Sequence, residues 1–307
     1  MRLLHFSDVH IGVESYGAID ETTGLNSRLA DFLVAFDQVV DFAISNEVDA
    51  VLFAGDAYKS RDPSQTHQRE FAKRIARLSD GSIPTFLLLG NHDMPNVMSR
   101  ATALDIFNTL KVPNVVIGDR LTTYQLETKN GKLQIIALPW IRRSSFLARE
   151  ETRNLNIEQI NEEIQARVTN LISREIEQLD TSTPSVLVGH VSLNTAVTSS
   201  EKSMLLGRDP IIMQSTLANI SLDYVALGHI HKHQILSKNP YVVYSGSLER
   251  VDFGEENDNK GFCVIDIDPS LPNGSRVSDF SFEPVLGRRF LTIDVKVDKG
   301  QDPTIET

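Results

Sequence analysis

The sequence predicts an α/β fold with parallel strands, and two observations carry that expectation. In the first half of the chain, short apolar runs alternate with stretches of helical spacing. Several of the apolar runs also end in polar turns that place Asp, Asn or His beside Gly, as in AGDAY, LGNHD, VGHVS and LGHIH. Open α/β sheets gather their sites where strands end, at the carboxyl edge.

The elements follow in order. RLLHFS reads as a strand. The stretch from about residue 27 to 46 carries Leu29, Phe32, Leu33, Phe36, Val39, Val40 and Ala43 at helical spacing. AVLFAG is the next buried strand, and SQTHQREFAKRIARL a helix with Phe71, Ile75 and Leu78 on one face. IPTFLLLG is a third strand and RATALDIFNTL a third helix. VPNVVIG, TTYQLET and KLQIIALP read as antiparallel, the last two joined at Asn130-Gly131, a strong hairpin signal. A long polar helix is expected from about 157 to 179, then two buried strands, SVLVGH and DYVALGH. The polar stretch Thr195 to Met213 reads as a loop over the site. YVVYSGS, GFCVIDI and VSDFSFEPV read as strands near a sheet edge, and RRFLTIDVKV as the first strand of a further domain.

A chain of 307 residues can bury a sizeable core as one large domain or two small ones. No run of about 18 apolar residues is present, so no membrane span is expected. The N-terminus lacks the pattern of a signal peptide. Cys263 is the single cysteine and alternates with apolar neighbours, so it is expected as a buried thiol of a cytoplasmic protein. The net charge of -11 argues against holding DNA by bulk electrostatics and predicts confined basic patches.

The candidate metal ligands are Asp8 and His10 in DVHIG, Asp56, Asn91, His190, and His229 with His231. In both Asp8/His10 and His229/His231 the i, i+2 spacing puts the two side chains on one side of an extended segment. Carboxylate, imidazole and carboxamide together suit manganese, iron or zinc. Two such ions can activate water and clamp a phosphoester, and a shared carboxylate offsets their repulsion. Asp56 is the candidate bridge. His5 is expected in the core, His67 near a helix start, and His233 at the surface or behind the ligands. Arg69, Lys73, Arg74 and Arg77 read as a solvated helix face in preference to a DNA-tracking stripe. Candidates for backbone contact with DNA are Lys59, Arg61, Arg100, Arg142, Arg143, Ser192, Arg208 and Arg250.

DVHIG, GD, GNHD, GH and GHIH, in this order, resemble the motifs of the calcineurin-like metallophosphoesterases. MRLLHFSDVHIG, DPSQTHQREFAKRI, LPW at 138–140 and YSGSLERVDFGEENDNKGFCVIDI at 244–267 are similar to the SbcD-type DNA repair nuclease branch. The resemblance implies a four-layer sandwich of two mixed β-sheets flanked by helices, spanning 1–285, with 286–307 opening a truncated capping domain. It implies two Mn²⁺ per chain: Asp8, His10 and His231 on one, Asn91, His190 and His229 on the other, Asp56 between. His92 would act on the leaving 3′ oxygen instead of binding metal. The implied activities are 3′-to-5′ exonuclease on duplex DNA and endonuclease on single strands and hairpins, in a homodimer that binds an SbcC-type ATPase. The branch's G-D-L-F-D is here Gly55-Asp56-Ala57-Tyr58-Lys59, which leaves Lys59 and Arg61 to meet phosphate. Other readings on the same fold are a phosphatase or cyclic-nucleotide phosphodiesterase, and a scaffold without activity.

Overall fold

A computed structural model describes residues 1–95, 100–143, 155–199 and 210–295. Two six-stranded mixed sheets stack face to face. The first runs β14-β13-β1-β2-β3-β4, with β1 (Arg2–Phe6), β2 (Ala50–Phe53), β3 (Thr85–Leu88) and β4 (Val115–Gly118) parallel and β13 (Gly261–Ile267) and β14 (Val277–Pro284) antiparallel at one edge. The second runs β11-β12-β10-β7-β6-β5. Here β6 (Gly131–Leu138), β7 (Ser185–His190), β10 (Tyr224–Gly228) and β12 (Tyr241–Tyr244) are parallel, closed by antiparallel β5 (Thr123–Thr128) and β11 (Gln234–Lys238). A short pair, β8 (Ser192–Leu193) and β9 (Ile211–Ile212), flanks the second sheet's end of the site.

Three apolar cores explain the layering. One lies between the sheets, where Leu52, Phe86, Ile135, Val186, Ala226 and Ile265 meet. A second joins the outer face of the first sheet to α1 (Ser27–Ser45), α2 (Gln65–Asp80) and α3 (Asp105–Leu110) through Phe6, Phe36, Phe53 and Phe71. The third joins the second sheet to α4 (Ile157–Glu177) and α5 (Gln214–Leu217) through Ile136, Ile164, Leu187 and Val225. The central strands of both sheets are buried on both faces, so they read as unbroken apolar runs. The helices keep one apolar stripe each and open on side-chain caps: Asn26 for α1, Ser64 for α2, and an Asn156–Gln159 capping box for α4.

Three expectations need correction. VPNVVIG does not pair antiparallel; β4 is parallel to β3, because α3 carries the chain back before it. The third helix is shorter than its apolar pattern, spanning six residues. Residues 286–295 form no strand: Leu286, Leu291 and Ile293 are exposed and have no neighbour strand to pair with among the described residues. The expectation of a capping domain otherwise falls on 296–307, outside the described residues, as does the centre of the 195–213 loop.

The basic face of α2 is not simply solvated. Arg74 pairs with Asp37 at 2.5 Å and Glu70 at 3.3 Å, and Arg77 with Asp37 at 2.9 Å and also with Asp41, so the helix is latched to α1 by charge. Cys263 is buried, and burial pushes its thiol up. His5 sits in the inter-sheet core between Tyr224 Oη at 2.9 Å and the Leu227 carbonyl at 3.2 Å.

Candidate metal centre

The ends of β1, β2 and β3 in one sheet and of β7 and β10 in the other point at one spot, because both sheets direct their parallel strands the same way across the inter-sheet core. Glycines allow the approach. A Cβ at Gly90 would lie 2.1 Å from Asp56 Oδ1, and one at Gly228 would lie 2.2 Å from the Ala54 carbonyl oxygen of the facing sheet. Gly55 adopts φ +96°, and a Cβ there would meet His190 Nδ1 at 2.5 Å. Four candidate ligands take left-handed backbone themselves: Asp8 (φ 52°), His10 (48°), Asp56 (62°) and His229 (93°). Such conformations cost free energy for non-glycine residues and cluster at functional sites.

All seven candidate ligands converge. His10 Nε2 lies 2.9 Å from His231 Nε2 and 3.8 Å from both Asp8 Oδ1 and Asp56 Oδ2. On the other side, Asn91 Oδ1 lies 2.9 Å from His190 Nε2 and 3.1 Å from His229 Nδ1. Asp56 Oδ2 is also 3.4 Å from His190 Nε2, so this carboxylate stands between the two groups. Asp8, His10 and His231 offer ligand atoms within 4.8 Å of one another, as do Asp8, Asp56 and His190.

Backbone and neighbouring side chains set which ring nitrogen faces inward. The His190 Nδ1–H donates to the Ala54 carbonyl at 2.7 Å, leaving Nε2 a lone pair toward Asn91 and Asp56. The His231 Nδ1–H donates to Glu255 Oε1 at 2.7 Å, leaving its Nε2 toward His10. This carboxylate–imidazole arrangement is the usual support for a metal ligand. Glu255 is fully buried and also pairs with Lys260 at 2.7 Å. Asp93 clamps the turns after β2 and β3, accepting from the backbone N–H groups of Asp56, Ala57 and Gly90 at 2.8–2.9 Å. Trp140 walls the site, its ring 4.9 Å from that of His229.

The electrostatics fit cations. Burial disfavours charge on His190, yet Asp56 and Asp8 outweigh it and push the imidazole up to about 9. Burial likewise opposes the Asp56 carboxylate, but His190, His92 and His10 hold it well below the usual range. A proton on His190 thus supplies the positive charge that the carboxylates demand. His10 Nδ1 is buried without a hydrogen-bond partner among the described residues, a costly state unless a further group binds. Two carboxylates, four imidazoles and one carboxamide are a donor set for divalent ions of the manganese, iron or zinc type.

His92 stands at the rim. Its backbone N–H donates to Asp56 Oδ1 at 2.8 Å, and its Nδ1–H donates to the Lys59 carbonyl at 2.8 Å, which turns Nε2 outward from that anchor. Its ring meets His10 edge-on at 5.1 Å, and one of its nitrogens falls within 4.8 Å of ligand atoms of His10 and Asp56.

The calcineurin-like phosphoesterase family model matches residues 1–233. The chain belongs to that family. Its fold implies a dinuclear metal site and the hydrolysis of phosphoesters, and the Asp/His cluster occupies the corresponding place. Among curated proteins, the chain is similar to the DNA double-strand break repair protein Mre11 of Thermoplasma acidophilum, at 26% identity over 287 residues, covering 92% of this chain and 66% of that protein. It is similar to the SbcD component of the nuclease SbcCD of Staphylococcus epidermidis at 25% identity, covering 87% of this chain and 66% of the relative. Mre11 of Aeropyrum pernix is 27% identical, with 88% and 59% covered. The match thus spans just under two thirds of the length of these relatives.

The basic candidates divide. Arg61, Arg142 and Arg143 line a cavity beside Asn91. The Lys59 carbonyl supports His92, placing that residue at the rim. Arg100 lies farther out, 3.9 Å from Asp62. Arg208 falls outside the described residues. Arg250 is not available to DNA: its guanidinium donates to the carbonyls of Glu256, Arg288 and Asp258 and ties the chain together. Ser192 is buried on β8. His233 is half-buried behind the ligands, stacked on Phe282 at 4.0 Å, and His67 begins α2 beside Glu14.

Glu255, Asp93 and Lys260 were not singled out from sequence. The available signal for Glu255 was a carboxylate and a lysine five residues apart within the family-specific 244–267 segment; for Asp93 it was the last letter of GNHD.

Proposed function

We propose that this protein is a metal-dependent DNA nuclease of the SbcD/Mre11 type. The observation that carries the reading is the pair of donor groups, drawn from both sheets, that share Asp56. Asp8, His10 and His231 would hold one ion and Asn91, His190 and His229 the other, with Asp56 bridging. Two divalent ions ~3.5–4 Å apart would neutralise the phosphate and make a water nucleophilic. The names of the similar proteins, a break-repair protein and a nuclease component, supply the substrate class.

The chain's own residues orient and protonate. The Lys59 carbonyl and Asp56 Oδ1 fix the His92 ring and backbone. His92 Nε2 is the atom assigned to the leaving 3′ oxygen, as donor of a proton or of a hydrogen bond. Trp140 and the buried inter-sheet core exclude water from the back of the ligand rings. Manganese is the assigned metal. The assigned activities are 3′-to-5′ exonuclease on duplex ends and endonuclease on single strands and hairpins, with 1–285 as the nuclease domain, 286–307 opening a cap, a homodimeric assembly and an SbcC-type ATPase as partner.

The test is cleavage of a linear duplex and a hairpin with Mn²⁺. Cleavage abolished in His92→Ser at unchanged metal content supports the role of His92; metal lost in that variant contradicts it. The acidic net charge favours a second reading, a phosphodiesterase of small substrates. Turnover of a small phosphodiester far faster than DNA would decide for it.

A further inference from the structure

Among the described residues outside the ligand cluster, the densest concentration of one charge sign around a concavity is a cavity of about 180 Å³ lined by Arg61, Asn91, Met94, Pro95, Trp140, Arg142 and Arg143. No acidic residue is among these lining residues. Three guanidiniums therefore face one small space. The cavity is several times the ~30 Å³ that a water occupies in the liquid, so it has room for a tetrahedral oxyanion.

Its position is set by the metal centre itself. Asn91 lines the cavity and presents Oδ1 to His190 and His229 at 2.9 and 3.1 Å. Trp140 lines it and packs on His229. Each arginine is steadied by a neutral acceptor. Arg61 Nε donates to the Asn91 carbonyl at 3.1 Å, Arg142 Nε meets Met94 Sδ at 3.3 Å, and Arg143 donates to Asn161 Oδ1 at 2.8 Å. Burial and the neighbouring Arg61 both lower Arg142, the sign expected where cations are held together. Guanidinium forks match phosphate oxygens in pairs, and like charges held together are relieved when an anion binds.

We propose that the Arg61–Arg142–Arg143 cavity is a second phosphate subsite, one that receives the strand phosphate next to the one undergoing hydrolysis. This deepens the nuclease reading and rests on it. A monoester or a lone diester fills only the metal centre, whereas a polynucleotide fills both places. The subsite thus selects a strand over a small phosphodiester, despite the acidic net charge of the chain.

Arg142→Ala and Arg143→Ala, singly and together, test this; Arg61 is left in place because it braces the Asn91 carbonyl. With Mn²⁺, the substrates are bis(p-nitrophenyl) phosphate, which has one phosphate, and the trinucleotide d(TpTpT), which has two. The double variant should raise KM for d(TpTpT) at least tenfold more than for the bis-ester, with bound manganese unchanged. In EDTA, anisotropy of a labelled oligothymidylate should show weaker binding and a salt dependence shallower by about one to two counterions per chain. Equal losses on both substrates, or an undiminished salt slope, would overturn the subsite. Wild-type protein that binds the oligothymidylate through these arginines in EDTA yet cleaves no DNA with Mn²⁺ would instead remove the nuclease reading and leave the anion site.

Discussion

Replacing Glu255 by Gln should weaken the metal centre and the fold by separable amounts. Glu255 is fully buried and serves two partners, His231 Nδ1 at 2.7 Å and Lys260 Nζ at 2.7 Å. It accepts as well from the Val251 N–H at 3.0 Å. Burial opposes its charge, but His231 and Lys260 together hold the carboxyl well below the usual range. The amide keeps the shape and loses the charge. Lys260 is then a buried ammonium with Asp258 at 3.8 Å, the Ser247 hydroxyl and the His231 carbonyl. Breaking a buried pair on one side costs about 3–5 kcal/mol; the remaining contacts of Lys260 place this case at the lower end, about 3 kcal/mol. Separately, loss of the carboxylate behind a ligating imidazole costs about 10–100-fold in metal affinity. Urea unfolding of the metal-free protein reads the first and calorimetric Mn²⁺ titration the second. Adding Lys260→Met should recover most of the stability and none of the affinity. An E255Q protein with unchanged affinity for both ions would refute the supporting role of Glu255, and a double variant that recovered both would show one common cause.

Two further outcomes follow from the same geometry. Burial lowers His5 to about 3, against 6.5 in its ordinary state. As pH falls below 6.5 the unfolded chain takes up a proton on this residue and the folded chain does not, so stability present above pH 6.5 is lost progressively down to about pH 3. Between pH 6.5 and 4.5 this contributes about 2–3 kcal/mol; the difference in urea stability between wild type and His5→Gln should change by that amount, and a pH-independent difference would contradict it. Gly228→Ala would drive a methyl to 2.2 Å from the Ala54 carbonyl oxygen and 2.8 Å from Ser7 Cβ, forcing the sheets apart beneath the ligands. It should cost about 1–3 kcal/mol and weaken metal binding; a variant with wild-type affinity and melting would mean the inter-sheet contact there is slack.

Much of the fold was legible because its strands are buried on both faces and carry little else than Val, Leu, Ile and Phe, as in β2, β3 and β7. The ligand turns stood out because a polar run after LLLG or VLVG has no packing role. What was not legible depends on pairing across long separations. The direction of β4 follows from α3, not from VPNVVIG. The latch of Arg74 and Arg77 depends on Asp37 and Asp41, about 40 residues earlier on another helix. Arg250 looked like a surface cation because its three carbonyl partners are backbone atoms that any sequence would possess. Glu255 and Asp93 were hidden for the same reason: a buried carboxylate looks like an exposed one until its partners are placed. The left-handed backbone at Asp8, His10, Asp56 and His229 leaves no trace in residue type.

The most direct measurement is calorimetric titration of metal-free protein with Mn²⁺, read together with Asp56→Asn. The account predicts two ions per wild-type chain, and in the variant a loss of both sites' affinity, since Asp56 Oδ2 stands 3.8 Å from His10 Nε2 and 3.4 Å from His190 Nε2. One ion per wild-type chain, or a variant that loses one site and keeps the other intact, would contradict it.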